Sequence, residues 1–587
     1  MVDEEKRTSE ALDASKKYNT VVEEANDYIE HFDILETITN VGNDEVFTPR
    51  KVCDLLLDTL PEEVWHNPLY KWLNPATKNG IFEREIALRL DKGLEDVIPD
   101  KEERRKHILQ NMIFSIGQTK FTSNVARRTL YYCSQANRKC DGIKAPDGHY
   151  VNGYSIGNGS WFDDEEGNIK TPCAEHIFLD SNNRRMPSTC KPEDRKKYRC
   201  RCGISGDSKY NDANQRENYA YEFIHINHLI LEKHLQSRFF GGDKKMKFDI
   251  IIGNPPYHLN DSGAGSSAKP IYHFFVNQAI DLKPRYICMI IPSRWMAGGK
   301  GLDDFRASML KDTHMRILHD YPDAKMCFPL NDIPGGVCYF LWDSKHDGVC
   351  EITQHQNDGS TVVSKRKLAD SNSDIVLRDP IHSKILKKVL SKKYKSFSTI
   401  VSSRKPYGLA TDFLADPSKY NLPKLSEKPV PGGIRIIGKN NSLMYAKKDY
   451  PLPKRTHIDE YKLFIGRANG GAGILGEKIP CNVMAEPITG KPGDACVETY
   501  LEIAPFENEF QMVNCITYMK TRFFRLMVGI KKVSQDFKPD SFEYAPLLDF
   551  NKSWSDEELF EMFGFNEEEI NYAKKYISSV SWSGKRL

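Results

Sequence analysis

The sequence predicts an α/β fold with a sheet covered on both faces, and three observations predict it. Phe248-Asp249-Ile250-Ile251-Ile252, Tyr286-Ile287-Cys288-Met289-Ile290-Ile291 and Val337-Cys338-Tyr339-Phe340-Leu341-Trp342 are short, almost continuously apolar runs, the pattern of strands buried from both sides. Tyr70-Lys71-Trp72-Leu73 reads as a strand that passes through a glycine turn into a helix from Gly80 to Leu90, with Phe82, Ile86 and Leu90 on one face. Gly253 ends the first apolar run, and Asn254-Pro255-Pro256-Tyr257 follows at its carboxyl end, where open α/β sheets hold their ligands.

The 587 residues leave room for two to four domains of the usual size. With 83 Lys and Arg against 81 Asp and Glu, the formal net charge is +2, so any polyanion site must be a local patch. Met1 to Tyr18 is charged and lacks the apolar core of a signal peptide, and no run of about 18 apolar residues offers a membrane span. These features predict a soluble cytoplasmic protein without a membrane partner. Its fourteen cysteines then read as reduced thiols or metal ligands rather than a disulfide framework.

Along the chain, residues 1–45 form a polar, helix-prone lead. At Val46-Phe47-Thr48-Pro49 a helix is expected to open, capped by Thr48 with Pro49 in its first turn; Val52, Leu55, Leu56 and Leu60 continue it. The first domain spans residues 46–345. Within it, residues 138–218 are rich in Asp, Asn, Gly, Lys and Cys and read as an insertion. A second domain of shorter strands, residues 380–587, holds a lysine-rich stretch from Lys384 to Lys395 and a glycine-rich segment from Gly466 to Gly476. Its tail carries two capping boxes, Ser555 to Glu558 and Asn566 to Glu569.

Asn254 to Tyr257 has the chemistry to activate a planar amine. The two prolines fix the backbone and present carbonyls rather than donors. The Asn254 side-chain oxygen and the Pro255 carbonyl supply acceptors for both hydrogens of adenine's exocyclic amino group, whose lone pair is otherwise delocalised into the ring. Rate would then come from positioning and electrostatics, with Pro256 bracing the loop and Tyr257 stacking on a base extruded from the duplex. An ordinary Asn-Pro turn is the plainer alternative.

The order of these motifs resembles that of gamma-class adenine-specific DNA methyltransferases of type II-like restriction-modification systems. Phe47-Thr48-Pro49 resembles the family's opening motif, against the methionine end of S-adenosylmethionine. Asn74-Pro75-Ala76-Thr77-Lys78-Asn79-Gly80 resembles its Asp-Pro-Ala-Cys-Gly-Ser-Gly cofactor loop. Ile291-Pro292-Ser293-Arg294-Trp295 and Cys327-Phe328-Pro329 resemble later motifs, with Phe328 gripping the flipped adenine from its second face. The resemblance implies a Rossmann-like S-adenosylmethionine-dependent methyltransferase sheet with a cysteine-containing insertion and a C-terminal α+β target-recognition domain. It also implies double-stranded DNA as substrate and a cognate restriction endonuclease as partner.

The chain departs from that pattern at Lys78, where a glycine is usual, and after the strand Met112 to Ile116. There Gly117, Gln118 and Thr119 replace the acid that holds the cofactor's ribose, so either Gln118 substitutes as a neutral partner or the site is degraded. Glu222 is the candidate contact to the cofactor's adenine ring; the alternative is a solvated charge beside a strand. In the insertion, Cys173, His176, Cys200 and Cys202, with Cys190 nearby, are either structural zinc ligands or plain thiols. Arg404 and Lys405, then Arg522, Arg525, Lys531 and Lys532 around Phe523-Phe524, are candidate phosphate contacts. Glu460-Tyr461-Lys462 resembles half of a nuclease site, which keeps a bifunctional restriction enzyme as a rival; a weakened, non-catalytic DNA-binding module is another.

Overall fold

The computed structural model describes residues 46–131, 161–172, 177–182, 184–200, 205–207, 222–242, 247–258, 270–297, 301–331, 333–369, 373–468, 473–476, 479–532, 536–582 and 584. The fold is mixed α/β, built on a large, mostly parallel sheet. The chain divides into two compact units, Met1–Met246 and Lys247–Leu587, a boundary that differs from the divisions at 45, 345 and 380 expected from composition.

In the first unit, helix α1 (Arg50–Leu57) precedes strand β1 (Trp72–Thr77), helix α2 (Ile81–Gly93), strand β2 (Ile113–Gly117) and helix α3 (Lys120–Tyr131). Strand β1 is buried along its whole length and pairs in parallel with β2, Trp72 opposite Ile113. The strand starts two residues later than the sequence suggests and runs on through Asn74 to Thr77, where the Asn74 side chain donates to Glu83 and the Thr77 carbonyl accepts the Gln118 amide. Helix α1 also begins one residue late: Pro49 is its cap, and the Pro49 carbonyl accepts the Val52 and Cys53 amides at 3.0 Å, with no side-chain cap.

The segment read as an insertion contributes to the sheet, since β3 (Ile169–Lys170) pairs in parallel with β2. Asn168 secures it by donating to the Leu109 and Gln110 carbonyls at 2.9 Å each. A second ladder joins β4 (Phe178–Leu179) and β5 (Arg199–Cys200). Helices α4 (Glu222–His225) and α5 (His228–Phe240) follow, so Glu222 opens a helix rather than flanking a strand.

In the second unit, β6 (Ile250–Gly253) and β7 (Tyr286–Pro292) are parallel, with helix α6 (Tyr272–Asp281) between them in sequence. Strands β7 and β8 (Met315–Tyr321) each pair antiparallel with β9 (Val337–Asp343), so β6, β7 and β8 share one direction. Loops after these three strands therefore leave from the same edge. Helix α7 (Asp303–Lys311) precedes β8. The pairing continues beyond Asp343, since β10 (Cys350–His355) joins β8 in parallel and β11 (Thr361–Arg366) closes the edge.

Beyond helix α8 (Pro380–Ser391) come two three-stranded sheets. One contains β12 (Ile434–Ile437), β13 (Leu443–Ala446) and β16 (Asp494–Cys496); the other contains β14 (Tyr461–Gly466), β15 (Ile488–Gly490) and β17 (Tyr500–Phe506). Helices α9 (Glu509–Lys520), α10 (Arg522–Lys531), α11 (Asp556–Met562) and α12 (Glu567–Tyr576) complete the chain. An aromatic core around Phe397, Phe523, Phe524 and Phe542 packs α8, α10 and the second small sheet together. Both expected capping boxes form, Ser555 with Glu558 and Asn566 with Glu569.

Candidate active site

In the first unit Asn74 and Ser115 converge on one buried carboxylate. Asn74 donates to Glu83 Oε1 at 2.9 Å while its own side-chain oxygen accepts the Ala76 amide at 3.1 Å. Ser115 on β2 donates to the same Glu83 oxygen at 2.6 Å. Burial raises the Glu83 carboxyl above its ordinary value, against the pull of the hydrogen bonds from Ser115 and Asn74. Asn74, standing where the family has an acid, can donate to Glu83; an ionised acid there would face it with a second negative charge.

Gly80 has φ +81°, and a Cβ there would lie 2.9 Å from Ala126 Cα on α3, so both conformation and close approach require glycine. Lys78 does not point into open space: its ammonium donates to the Val46 carbonyl at 2.8 Å and is buried. Thr48 is buried and Phe47 half-buried beside Pro49.

The departure at the end of β2 has a steric cause. A Cβ at Gly117 would lie 1.8 Å from Ser123 Oγ, so no acid fits there. The next residue, Gln118, has its amide nitrogen bonded to the Thr77 carbonyl at 2.9 Å, which places it against the end of β1. Its side chain is fully buried, and neither its Nε2 nor its Oε1 has a hydrogen-bond partner among the described residues. Such a group costs roughly 1–3 kcal/mol in a finished core.

Glu222 is not a solvated charge. It is fully buried, with His234 Nε2 at 2.6 Å and Arg238 Nε at 3.2 Å, and Arg238 also donates to the Thr171 carbonyl at 2.6 Å. Its carboxylate anchors α5. Of the zinc candidates, Cys173, His176 and Cys202 lie outside the described residues; Cys200 is buried and Cys190 half-buried, and neither is in a disulfide among the described residues. Among the described residues no group of three metal-ligating side chains assembles.

In the second unit, Asn254, Pro255, Pro256 and Tyr257 leave the end of β6 and are all buried. The Tyr257 carbonyl accepts the Ile271 amide at 3.1 Å, and a bridge between His258 and Pro270 closes the loop. The Tyr257 hydroxyl is buried without a hydrogen-bond partner among the described residues. Burial pushes its titration well up, and the Cys327 and Cys338 thiols and the Tyr272 phenol add to the rise.

The loop after β7 is tied to β8: Ser293 donates to Asp320 Oδ1 at 2.7 Å, and Arg378 donates to the same oxygen at 3.0 Å and to the Gly335 carbonyl at 2.6 Å. The loop after β8 holds Phe328 in a turn, its amide donating to the Ala324 carbonyl at 2.8 Å, with the ring buried. Sequence reasoning missed Asp320 and Arg378, which carry no local motif and matter only through these contacts.

The basic candidates divide. Arg404 is 65% exposed and pairs with Glu498, its Nε donating at 2.6 Å; Lys405 lies 3.2 Å from the same carboxylate. Arg525, Lys531 and Lys532 are corrected: all three are buried and committed inside the protein. Arg525 donates to the Ser578 and Lys520 carbonyls at 2.7 and 3.0 Å, and burial lowers its titration to about 10. Lys531 pairs with Asp374 and with Glu543 at 2.7 Å, and Lys532 donates to the Gly473 and Val483 carbonyls. Arg522, half-buried, donates to the Ile577 carbonyl at 3.1 Å. Nor does Glu460-Tyr461-Lys462 form a nuclease half-site: Glu460 is exposed, whereas Lys462 is buried and donates to the Ile458 and Asp494 carbonyls.

No described helix is long and apolar enough to cross a membrane. Residues 111–328 match the Eco57I restriction-modification methylase family. An uncharacterized adenine-specific methylase of Mycoplasma pneumoniae is 44% identical over 372 residues, which covers 61% of this chain and 82% of that protein. Two solved structures are similar at low identity. A nuclease-deletion mutant of the type ISP restriction-modification enzyme LlaGI with a DNA substrate mimic gives 10% identity, 84% of this chain, 45% of that chain and a TM-score of 0.44. The type IIL restriction-modification enzyme MmeI with DNA gives 12% identity, 84% and 63% coverage, and a TM-score of 0.41. On the identity and coverage of the Mycoplasma relative, with the family match across the catalytic region, the chain belongs to the adenine-specific DNA methylases of restriction-modification type.

Proposed function

We propose that this chain methylates the exocyclic amino group of an adenine extruded from double-stranded DNA, and that Asn254 to Tyr257 carries the reaction. The observation behind this is the buried, proline-braced turn at the end of β6, with an acceptor-rich backbone and a Tyr257 hydroxyl that has no partner among the described residues. The Asn254 side-chain oxygen and the Pro255 carbonyl accept the two amino hydrogens and localise the nitrogen lone pair. Pro256 holds those acceptors in place, and Tyr257 and Phe328 offer aromatic faces for the base.

Methyltransferases of this family use S-adenosylmethionine, and the first unit suits it. The Gln118 amide, without a partner among the described residues, offers both N–H donors and a carbonyl acceptor, a match for ribose hydroxyls, beside the loop from Asn74 to Gly80. When bound, the cofactor supplies an electrophilic methyl group. Phe47, Thr48 and Pro49 cover its methionine end, Pro75 and Ala76 shape the loop, and Glu222 acts by fixing α5 rather than by a solvated contact. Residues 380–587 serve target recognition, with Arg404 and Lys405 on phosphates, and a separate endonuclease is the cognate partner. Zinc at Cys173, His176, Cys200 and Cys202 rests on spacing alone, and the zinc content of purified protein tests it.

The test of the reaction is incubation with labelled S-adenosylmethionine and mixed genomic DNA, followed by digestion to nucleosides. Methyladenine that disappears in Asn254→Ala is the expected result; its persistence in the variant would overturn the assignment.

A further inference from the structure

The loop after β8 holds more than the aromatic Phe328. Its base is braced: Asp323 Oδ1 accepts the Lys325 amide at 2.9 Å, and the Cys327 and Phe328 amides both reach the Ala324 carbonyl. Its tip is braced too, since the Asn331 amide donates to the Phe328 carbonyl at 3.0 Å and Pro329 fixes the intervening backbone. Phe328 is buried, yet two residues to either side Met326 and Leu330 are 41% and 84% exposed. Leu330 is the most exposed large apolar side chain among the described residues. A single exposed leucine is ordinary on a protein surface. This one is different in setting, because it projects from a turn tied at both ends, on the same sheet edge as Asn254, two residues beyond the buried aromatic Phe328.

We infer that Leu330, with Met326 beside it, is an apolar wedge that enters the duplex at the target base pair and fills the space the extruded adenine leaves. This rests on the base-extrusion reading of Asn254 to Tyr257. An adenine leaving the stack exposes the apolar faces of its neighbours and leaves its partner base without a mate, and proteins that deform duplexes place aliphatic side chains in such gaps. A leucine makes contact there with no hydrogen-bond demand of its own, so it holds the gap open without reading sequence. The turn supplies the rigidity that such a wedge needs, because a floppy side chain would be pushed aside by restacking bases.

The experiment uses the full chain and two duplexes built around its mapped methylation site, one matched and one with the target adenine opposite an abasic position. Single-turnover methyl transfer is measured for the wild type, Leu330→Ala, Leu330→Met and Asn254→Ala. Leu330→Ala is expected to slow about tenfold on the matched duplex and to come within about twofold of the wild type on the abasic one, where extrusion costs little. Leu330→Met is expected to keep the rate on both. Equal rates for Leu330→Ala and wild type on the matched duplex, or equal slowing on both duplexes, would overturn the wedge. Asn254→Ala is expected to be silent on both duplexes; methylation by that variant would instead overturn the catalytic reading beneath it.

Discussion

The Lys78 ammonium donates to the Val46 carbonyl at 2.8 Å, with both residues buried, and so ties the loop after β1 to the residue just before Phe47-Thr48-Pro49. Lys78 is thereby a strut between the two segments proposed to hold the cofactor rather than an obstruction. Lys78→Met keeps the stem and removes the donor, which is expected to cost about 1–3 kcal/mol of stability and to weaken cofactor binding by about tenfold. Calorimetric titration with S-adenosylmethionine, alongside urea unfolding, reads both. Unchanged binding would mean that the strut serves folding alone.

Gln118 predicts effects of opposite sign on stability and binding. Its fully buried amide has no partner among the described residues, so Gln118→Leu removes a desolvation cost and is expected to raise stability by about 1 kcal/mol. The same change removes the proposed ribose partner and is expected to raise the cofactor Kd about tenfold. A variant that is both less stable and equally tight would show that the amide is a structural group.

Gly117 and Ser123 form a pair that explains the missing acid. Gly117→Ala is expected to cost about 2–4 kcal/mol, because its Cβ meets Ser123 Oγ at 1.8 Å. Gly117→Ala with Ser123→Gly is expected to recover part of that loss, giving a coupling of about 1 kcal/mol or more in a double-mutant cycle. Strict additivity of the two changes would place the strain elsewhere.

Local structure is legible in the sequence where the signal is local, as in the turn proposed to carry the reaction. Asn254 to Tyr257 combines a short apolar strand with two prolines, and the capping boxes at Ser555 and Asn566 sit within four residues each, so their physics is complete in a short window. Arg525, Lys531 and Lys532 were misread for the opposite reason. A cation is a surface group or a buried strut according to its partners, and those partners lie far off in the chain: Asp374 for Lys531, Gly473 and Val483 for Lys532, Ser578 for Arg525. Glu222 is the same case, set by His234 and Arg238. The strand Ile169–Lys170 escaped because two residues carry no periodicity.

His319 Nδ1 and His355 Nε2 lie 3.0 Å apart on neighbouring strands, with His319 stacked on Tyr339 and His355 on Tyr321. Burial, then the neighbouring His355, lowers His319 from 6.5 to about 4, against a small opposing effect of Glu351. The folded state therefore refuses a proton that the unfolded chain accepts below about pH 6.5. The stability associated with neutral His319 is complete above that pH and is lost as pH falls toward about 4, on the order of 2 kcal/mol after solvent screening. Urea unfolding at about pH 7.5 and 5 is expected to show a smaller difference for His319→Gln than for the wild type; an unchanged difference would assign the acid sensitivity to other groups.

Burial separates the two basic sets by experiment. Burial works to raise the Glu498 carboxyl, but hydrogen bonds from Arg404 and Lys405 outweigh it and hold it below the ordinary carboxylate range, so both cations are positioned yet still reach solvent. Arg404→Ala with Lys405→Ala is expected to weaken DNA binding on all sequences alike and to reduce the slope of log K against log salt by about one per cation lost. Arg525→Met is expected to leave that slope unchanged and to cost about 2–4 kcal/mol of stability, because the Ser578 and Lys520 carbonyls lose a buried donor. Fluorescence anisotropy at four salt concentrations, paired with thermal unfolding, distinguishes them. A stable Arg525→Met protein with a reduced salt slope would return Arg525 to the DNA-contacting surface, against its burial.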